Sequence, residues 1–514
     1  MSFRMCLAGT CVTLLAGVFA GSAGAAGTPV RVPDNPLGGS SSCAQQVSQQ
    51  TALGSTNYPD DEVEPYVAAD PTNPMHLIAS VQQDRWNDGG ANGLTNTVSV
   101  DGGQTWSLAS SQPAFTICEG ATQGSAGFLN RGTDPWVSFS SDGKTAYSIS
   151  DSFNADGPAF GGASSIIVSR STDGGMNWDP PVTAEFDASN TVLNDKESVT
   201  ADSLNPVKAY AAWDRLVSPS THANPSAFNH SPAFRGPAMF SSTSDSGASW
   251  SKGRVIFDPG QNNQTIGNVI VQPKAGPAAG VVFDGFDLIL NKGAFGKPRS
   301  TFSVAMVHSS DGGGTWSGPT IVAQQQVAQV FINGEYIRTS DELPEFATGP
   351  EGNMYAVWQD GRFESGGTPK IAFSMSTDGG SHWSSPIRID QSPGSVQAFT
   401  PQITVRSDGT VAVQYYDLEN ATASQPGLTD QFLVSCSSAC TNPASWAAGG
   451  ERRLSTSGSF DMLTAPSAGG PFVGDYDGLV PAVQTTGSLF DSAFVMAKPI
   501  ATNGPTDLFA NGTP

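Results

Sequence analysis

The sequence predicts an all-β protein, a β-propeller of six or seven four-stranded blades. Three observations indicate this fold: a turn motif recurs at nearly constant spacing, short alternating strand-like runs lie between its copies, and helical periodicity is missing between them. Glycine accounts for 58 of the 514 residues, which fits a chain of many short strands joined by tight turns.

The charge balance excludes some classes of function. The chain holds 24 Lys and Arg residues against 46 Asp and Glu residues, a net charge of −22, and has no run of basic residues. Nucleic acids and anionic membrane surfaces both bind clustered Lys and Arg. We therefore expect no nucleic-acid partner.

The first 26 residues predict a signal peptide. Arg4 precedes an apolar stretch, residues 5–20, and small residues follow up to Ala26, the pattern of a secretory leader. The alternative, a retained anchor, needs about 20 unbroken apolar residues. We expect a secreted protein, extracellular or periplasmic, without stable membrane insertion. An N-terminal extension (27–62), the propeller (63–500) and a C-terminal tail (501–514) would follow.

Four cysteines remain after removal of the leader: Cys43, Cys118, Cys436 and Cys440. An even number in an oxidising compartment suggests two disulfides, with three possible pairings. The short spacing of Cys436 and Cys440 favours a bond between them, which leaves Cys43 for Cys118. A zinc site is the alternative, but no histidine lies near either pair.

The recurring motif is Ser/Thr-x-Asp-x-Gly-x-x-Trp. It occurs at residues 99–106, 171–178, 243–250, 309–316 and 376–383, and a degenerate sixth copy ends at Trp446, with Cys436 and Cys440 replacing the Asp-Gly turn. The six tryptophans are 72, 72, 66, 67 and 63 residues apart. Asp accepts backbone N–H bonds across a turn, Gly supplies positive φ, and Trp buries a large apolar face. The motif therefore predicts structural fasteners.

Each repeat contains short strand-like runs. In the first repeat, four strands are predicted at 65–69, 77–82, 97–100 and 115–118. Strands in later repeats are predicted at 136–139, 145–150, 198–201, 209–213, 354–358 and 371–374. Two more, 475–483 and 489–496, either complete the first blade or form a seventh with an N-terminal strand. We favour seven, because the first repeat already looks complete.

The repeated Ser-x-Asp-Gly-Gly-x-x-Trp resembles the Asp box, or BNR repeat, of the sialidase superfamily over roughly residues 63–500. The resemblance implies a secreted, sialidase-like glycoside hydrolase that acts on extracellular glycans. Sialidases of the family carry Arg-Ile-Pro on the first inner strand, whereas this chain has Val63-Glu64-Pro65, so it is similar to divergent members. The alternative is a non-catalytic propeller that binds glycan or protein, since Asp boxes occur in both.

Topology predicts which face is functional. The Asp-box turn joins strands three and four, so the start of strand one and the end of strand two lie on the other face. Acids fill both places. Strand two is predicted to end at Asp84, Asp151, Asp214, Asp284, Asp360 and Asp417, and strand one to open near Glu64, Asp134, Glu197, Glu345 and Asp475. A glycosidase needs two carboxylates about 5 Å or about 6.5–9.5 Å apart. The alternative is that each Asp caps its own turn.

Three arginines follow strand-two aspartates: Arg85 after Asp84, Arg215 after Asp214, and Arg362 near Asp360. The resemblance implies that converging guanidinium groups hold the carboxylate of an acidic sugar through bidentate bonds. The alternative is three local Asp–Arg pairs. The resemblance also implies a tyrosine nucleophile activated by a glutamate, for which we predict Tyr476 with Glu345; Tyr415 and Tyr416 are alternatives. Glu64, Glu197 and Asp134 complete the catalytic candidates, and the three arginines with their aspartates are the candidate substrate-binding residues.

No cofactor and no metal site are predicted. The acidic ring would suit Ca²⁺, but no dedicated calcium loop is visible in the sequence. One long loop, residues 215–238, contains His222, Phe228, His230 and Phe234. Long loops in compact domains often bind ligands, so this loop is predicted to offer aromatic rings for sugar stacking.

Overall fold

The computed structural model describes residues 27–155, 162–220, 234–292, 299–339, 341–482, 489–497 and 506–513. The predicted signal peptide and residues His222, Phe228 and His230 lie outside the described residues. Among the described helices, none is both long and apolar enough to cross a membrane.

The regular secondary structure of the described residues is almost entirely antiparallel β-sheet, which confirms the all-β class. The first two repeats join in one sheet through a single pairing of Ala91 with Gly132. Its strands are β2 (Glu62–Asp70), β3 (Asn73–Arg85), β4 (Ala91–Ser99), β5 (Ser107–Leu108), β6 (Arg131–Phe139), β7 (Ala146–Phe153), β8 (Ser164–Ser171) and β9 (Val182–Asp187).

The next repeats form separate sheets, each with neighbouring strands consecutive in the chain. The third contains β10 (Val192–Ala201), β11 (Ala209–Val217), β12 (Ala238–Thr243) and β13 (Arg254–Phe257). The fourth contains β14 (Gln264–Val271), β15 (Val282–Lys292), β16 (Arg299–Ser309) and β17 (Thr320–Gln325). A two-stranded hairpin, β18 (Val330–Ile332) and β19 (Glu335–Ile337), separates them from the fifth.

The sheet of the fifth repeat contains β20 (Glu345–Thr348), β21 (Met354–Asp360), β22 (Lys370–Ser376) and β23 (Ile387–Arg388). The sixth contains β24 (Ala398–Val405), β25 (Val411–Asp417), β26 (Leu428–Cys436), β27 (Glu451–Arg453) and β28 (Phe460–Asp461). The last combines both chain ends: β29 (Gly478–Pro481), β30 (Phe490–Ala497) and β31 (Thr506–Thr513) pair in that order, and β1 (Val30–Arg31) adds to β31.

Segments predicted as extension and tail therefore contribute strands, since β1 precedes residue 62 and β31 follows residue 501. The predicted strand at 115–118 is wrong, because those residues form turns and the outer strand β5 follows directly after Trp106. The described residues include two α-helices, α1 (Ser41–Ala52) and α2 (Pro443–Gly449). Both expected disulfides are present, Cys43–Cys118 and Cys436–Cys440.

The first strands of successive sheets lie side by side. Strand β2 contacts β6, β6 contacts β10, β10 contacts β14, β14 contacts β20, β20 contacts β24, β24 contacts β29, and β29 contacts β2. The blade number stays a prediction.

Five of these first strands deviate near their beginnings. Register shifts in β2, β6, β10, β14 and β24 coincide with residues of positive φ: Glu64, Asp134, Lys196, Gly267 and Thr400. A bulge re-aims a side chain that a regular strand would place elsewhere. The same local distortion therefore recurs at one end of the sheets. Three of the five positive-φ residues have ionisable side chains: Glu64, Asp134 and Lys196.

The Asp-box turns lie at the opposite end and fasten one repeat to the one before it. In the second copy, Asp173 accepts a hydrogen bond from the N–H of Asn177 (2.9 Å), and the Ser171 hydroxyl oxygen accepts one from Gly175 N–H (2.9 Å). A Cβ on Gly175 would lie 2.5 Å from Ile78 Cδ1 in the first repeat. Only glycine permits this approach at positive φ.

Candidate functional site

A cluster of charged side chains surrounds Lys196 at the bulged end of the first strands. The Lys196 ammonium lies 2.7 Å from Asp134 Oδ1, 2.7 Å from Asp475 Oδ2 and 3.5 Å from Glu64 Oε1. These residues come from the bulges of β10, β6 and β2 and from the segment before β29, so four repeats meet at one point. We name Lys196, Glu64, Asp134 and Asp475 the Lys196 cluster.

A second cation supports the cluster from an inserted segment. Arg338, directly after β19, donates from Nε to Asp475 Oδ1 (3.1 Å) and from a terminal nitrogen to Oδ2 of the same carboxylate. Its guanidinium carbon lies 4.3 Å from the centre of the Phe472 ring, and that of Arg85 lies 5.2 Å from the same ring. The segment that contains Phe472 therefore covers this side of the cluster.

Arg85 reaches the cluster through a glutamine. Its guanidinium donates to Gln82 Oε1 (2.5 Å), while Gln82 Nε2 donates to Glu64 Oε2 and to Thr133 Oγ1 (2.9 Å). Arg85 is buried. It is the predicted substrate-binding arginine that the structure places nearest to the predicted catalytic carboxylates, one side chain away from Glu64.

Two carboxyl groups of the cluster have opposite pKa shifts. Burial raises the pKa of Glu64 to about 8, although Lys196 opposes the shift. Burial acts in the same direction on Asp475, but Arg338 and Lys196 outweigh it and hold the pKa of Asp475 well below its usual range. The Asp475 N–H also donates to Glu64 Oε1 (3.3 Å). Two neighbouring carboxyl groups therefore have pKa values shifted in opposite directions.

Lys196 stays charged despite its burial. Desolvation lowers the pKa of the ammonium, but Asp134, Asp475 and Glu64 outweigh it and raise the pKa well above its usual value. In the part of the chain that the structure describes, no group of three or more His, Cys, Asp or Glu residues is placed to hold a metal ion. Protein cations occupy the centre of this acidic end.

Glu345 and Tyr476, the predicted catalytic pair, line one small cavity. The cavity measures about 20 Å³ and is also lined by Lys196, Glu197 and Trp136; this is room for roughly one water molecule. The Tyr476 hydroxyl donates to the Pro135 carbonyl (3.3 Å). Burial raises the pKa of Glu345 to about 8 and that of Tyr476 well above its usual value. The catalytic roles of the pair stay predictions.

Glu197 lines the cavity, and its carboxylate accepts a hydrogen bond from the N–H of Asp151 in the second repeat. Burial, with Asp134 and Asp151 nearby, raises the pKa of Glu197 well above its usual value. Asp214 has a raised pKa from burial and from Asp195, whose own pKa burial raises to about 7. Acids of the second and third repeats thus form a buried group that favours protonation.

Several strand-two aspartates accept hydrogen bonds from protein groups. Asp84 accepts hydrogen bonds from the N–H groups of Leu37 and Asp60 (both 2.9 Å), and Asp360 accepts one from Trp358 Nε1 (2.7 Å). Asp417 accepts one from the Glu419 N–H (3.0 Å).

The predicted position of Asp284 at the end of strand two is wrong. Asp284 is the third residue of β15, and that strand continues to Lys292. Asp287, the sixth residue of β15, matches Asp151 and Asp214, which are the sixth residues of β7 and β11. Its carboxylate accepts a hydrogen bond from the Ser303 N–H (2.8 Å).

The structure does not bring the three predicted arginines together. Arg362 folds back onto Asp360, with Nε 2.9 Å from Oδ1 and a terminal nitrogen 2.7 Å from Oδ2. Arg215 pairs with Asp187 of β9. Arg362 thus pairs within its own repeat and Arg215 pairs with the sheet beside it. Substrate binding by these residues stays a prediction.

The sequence interpretation missed Lys196 and Arg338. Lys196 was detectable, because Lys196-Glu197 occupies the place of Glu64-Pro65 and Asp134-Pro135 at the start of strand one. Arg338 follows a hairpin inserted between two repeats, so no repeat position predicts it.

Comparison with known proteins gives structural likenesses only. No family model and no curated protein matches the chain. Among solved structures, it is similar to the α-L-arabinofuranosidase Arb93A from Fusarium graminearum, with 14% identity, 76% of this chain and 93% of that chain covered, and a TM-score of 0.45. The Hadza microbial sialidase Hz136 has 16% identity, coverage of 70% and 64%, and a TM-score of 0.43.

A third similar structure is the intramolecular trans-sialidase from Ruminococcus gnavus, with 12% identity, coverage of 90% and 96%, and a TM-score of 0.40. Sialidases and an arabinofuranosidase are thus among the solved structures similar to the chain. The function proposed below rests on the side chains of this chain.

Proposed function

We propose that the protein is a secreted, sialidase-like glycoside hydrolase that acts on extracellular glycans, with the Lys196 cluster as its catalytic centre. One observation carries the proposal: the carboxyl groups of Glu64 and Asp475 contact the same buried ammonium, and their surroundings shift their pKa values in opposite directions. Carboxyl pairs whose surroundings separate their pKa values mark acid and base roles in catalysis.

The spacing of the carboxylates supports hydrolysis with retention. Glu64 Oε1 and Asp475 Oδ2 lie 3.5 Å and 2.7 Å from one Nζ atom, so the two oxygens are closer together than the roughly 6.5–9.5 Å of inverting glycosidases. Retaining glycosidases place their two carboxyl groups about 5–5.5 Å apart. Asp475 would stabilise or attack the sugar cation, and Glu64 would protonate the leaving oxygen.

The arrangement of the sheets supports a closed seven-bladed propeller. Their first strands contact one another in sequence from β2 to β29 and back to β2. The last sheet takes β1 from the N-terminal segment, the way in which propellers commonly join their chain ends. The Lys196 cluster would then lie on the central axis. Access to it requires movement of the segment that carries Phe472.

Hydrolysis of nitrophenyl and methylumbelliferyl glycosides, including those of sialic acid and arabinofuranose, tests the proposal. Glu64→Gln and Asp475→Asn should each lower kcat by roughly 10²–10⁴-fold, the usual effect of removing an acid–base group. Asp142→Asn is the control, because Asp142 pairs with Lys144 in an exposed turn. Failure of the wild-type protein to cleave any of these glycosides would contradict the proposal.

A second candidate function is binding without catalysis. The cavity beside Lys196 has room for about one water, and the cluster residues are buried and ion-paired, which favours a structural centre. A non-catalytic protein should bind a glycan or a protein without turnover, with affinity unaffected by Glu64→Gln. Calorimetry alongside the hydrolysis assay separates the two functions.

Export is part of the proposal. The two disulfides fit an extracellular protein. N-terminal sequencing of protein recovered from the medium or the periplasm should find a chain that starts after Ala25 or Ala26. A full-length chain that remains in the cytoplasm would contradict this.

A further inference from the structure

A groove of about 770 Å³ lies between the fifth and sixth repeats, at the Asp-box end of the sheets. Its walls are the fifth Asp-box turn (377–384), the turns at 350–353 and 407–409, and the disulfide-closed loop at 437–441. The volume falls within the roughly 300–1,000 Å³ typical of ligand sites. These turns join strands at the end opposite the bulges, so the groove is separate from the Lys196 cluster.

The groove exists because the sixth repeat lacks an Asp box. In four other repeats the glycine turn of the box covers the repeat before it: a Cβ would lie 2.5 Å (Gly175 on Ile78), 2.9 Å (Gly247 on Tyr147), 2.5 Å (Gly313 on Phe240) and 3.2 Å (Gly380 on Phe283) from that neighbour. In the sixth repeat, Trp446 of α2 still packs on Phe373, with ring centres 5.0 Å apart. The loop closed by Cys436–Cys440 replaces the glycine turn.

Tyr355 borders this space from the core and is only 4% exposed. It is the second residue of β21, as Tyr147 is of β7 and Phe283 of β15. Both of those residues are covered by the glycine turn of the next Asp box, whereas Tyr355 lines the groove. The sixth repeat thus departs from the pattern at the position where a packed contact becomes a cleft.

The lining favours an uncharged, hydroxyl-rich ligand. Among the residues that line the groove in the described structure there is no Lys or Arg, so an anion finds no counter-charge. Asp378 already accepts hydrogen bonds from His382 N–H (2.9 Å) and pairs with His382 Nδ1 (2.6 Å). Asp408 pairs with Arg406 (3.2 Å). Glu351 is the third acid of the wall, and serine and threonine hydroxyls occupy much of the remainder.

His382 distinguishes this Asp box from the other four. The residue before the tryptophan is Thr105, Asn177, Ser249 and Thr315 in the other copies, and each hydrogen-bonds its own box aspartate. His382 makes the same contact but adds an imidazole ring, and its side chain is 89% exposed. Exposed rings of this kind provide faces on which sugars stack.

We propose that this groove binds an uncharged oligosaccharide, which contacts the exposed His382 and hydrogen-bonds the surrounding hydroxyl groups. The site would hold a neutral part of a glycan away from the Lys196 cluster. It does not depend on hydrolysis at that cluster, because the two sites lie at opposite ends of the sheets.

Isothermal titration calorimetry of the full exported chain with cellohexaose, xylohexaose, mannohexaose and arabinohexaose tests the proposal. At least one should bind. His382→Ala should weaken binding about tenfold, which corresponds to about 1.4 kcal/mol. Ser249→Ala is the matched control, because it removes the same turn contact in a box without a groove. Ser438→Trp, in the exposed loop, should fill the groove and abolish binding.

Other outcomes would overturn the proposal. These are no binding of any of the four saccharides, equal affinity in the wild type and Ser438→Trp, or binding restricted to polygalacturonate or a protein ligand. Loss of binding in Glu64→Gln would place the saccharide at the Lys196 cluster. Absence of glycoside cleavage would contradict the proposed hydrolase and leave the binding result at the groove unchanged.

Discussion

Replacement of Lys196 by methionine tests whether the charged cluster holds the sheets together. The ammonium is 8% exposed and has two carboxylate oxygens at 2.7 Å and one at 3.5 Å. Methionine keeps most of the volume and removes the charge. Loss of one member of a buried ion pair typically costs about 3–5 kcal/mol, because the remaining charge has no compensation. Arg338 still contacts Asp475, so we expect a loss near the lower end, about 3 kcal/mol.

Equilibrium urea unfolding at pH 7 measures this loss. Lys144→Met is the matched control: Lys144 lies 2.8 Å from Asp142 but is 81% exposed, so its replacement should leave the unfolding midpoint unchanged. The double variant Lys196→Met/Asp134→Asn should recover part of the lost stability, since it removes an unpaired buried carboxylate. A loss below about 1 kcal/mol, or a double variant less stable than the single one, would refute the reasoning.

Three further predictions concern pH, the disulfide and the fasteners. The unfolding temperature should fall as pH rises from 5 to 8. Burial raises the pKa values of Glu64, Glu119 and Glu345 to about 8, so these groups keep their protons in the folded chain and lose them when it unfolds. A rise in the unfolding temperature over this pH range in a thermal scan would contradict the prediction. Replacing Cys43 and Cys118 by serine should cost about 2–4 kcal/mol in urea unfolding, and an unchanged midpoint would argue against this. Asp173→Ala should lower stability by about 1 kcal/mol through the lost turn contacts without weakening saccharide binding, and weaker calorimetric binding at unchanged stability would show that this turn belongs to a site.

The repeat made the architecture predictable. Five Asp-box copies mark the turn between the third and fourth strands, so the other end of the sheets could be named from topology, and Glu64, Asp134, Glu197 and Asp475 were placed there correctly. Side-chain direction within that end could not be read from spacing. It depends on bulges, and a shift of one residue turns a strand side chain to the other face.

The sequence could not predict the positions of residues that lie in segments inserted between the repeats or outside them. Arg338 and Phe472 belong to segments inserted between repeats, and no periodic pattern determines where an insertion folds. The same holds for α1 (Ser41–Ala52), which lies outside the repeats. The convergence expected of Arg215 and Arg362 failed for a different reason: a surface arginine forms the nearest ion pair, and neighbouring acids were available at both sheet edges.

The two candidate sites arise because the repeat varies in different ways at the two ends of the sheets. At the bulged end, the repeat is kept and its side chains vary: Glu64, Asp134 and Lys196 occupy equivalent positions and together bring opposite charges into contact. At the Asp-box end, five repeats keep the residues of the motif and the sixth repeat lacks the glycine turn, which leaves a groove beside Tyr355. A change of charge within a conserved geometry produces a buried polar centre, which suits proton transfer. Loss of a packing element produces an open surface, which suits binding of a long ligand. Catalysis is therefore sought at the first end and glycan capture at the second.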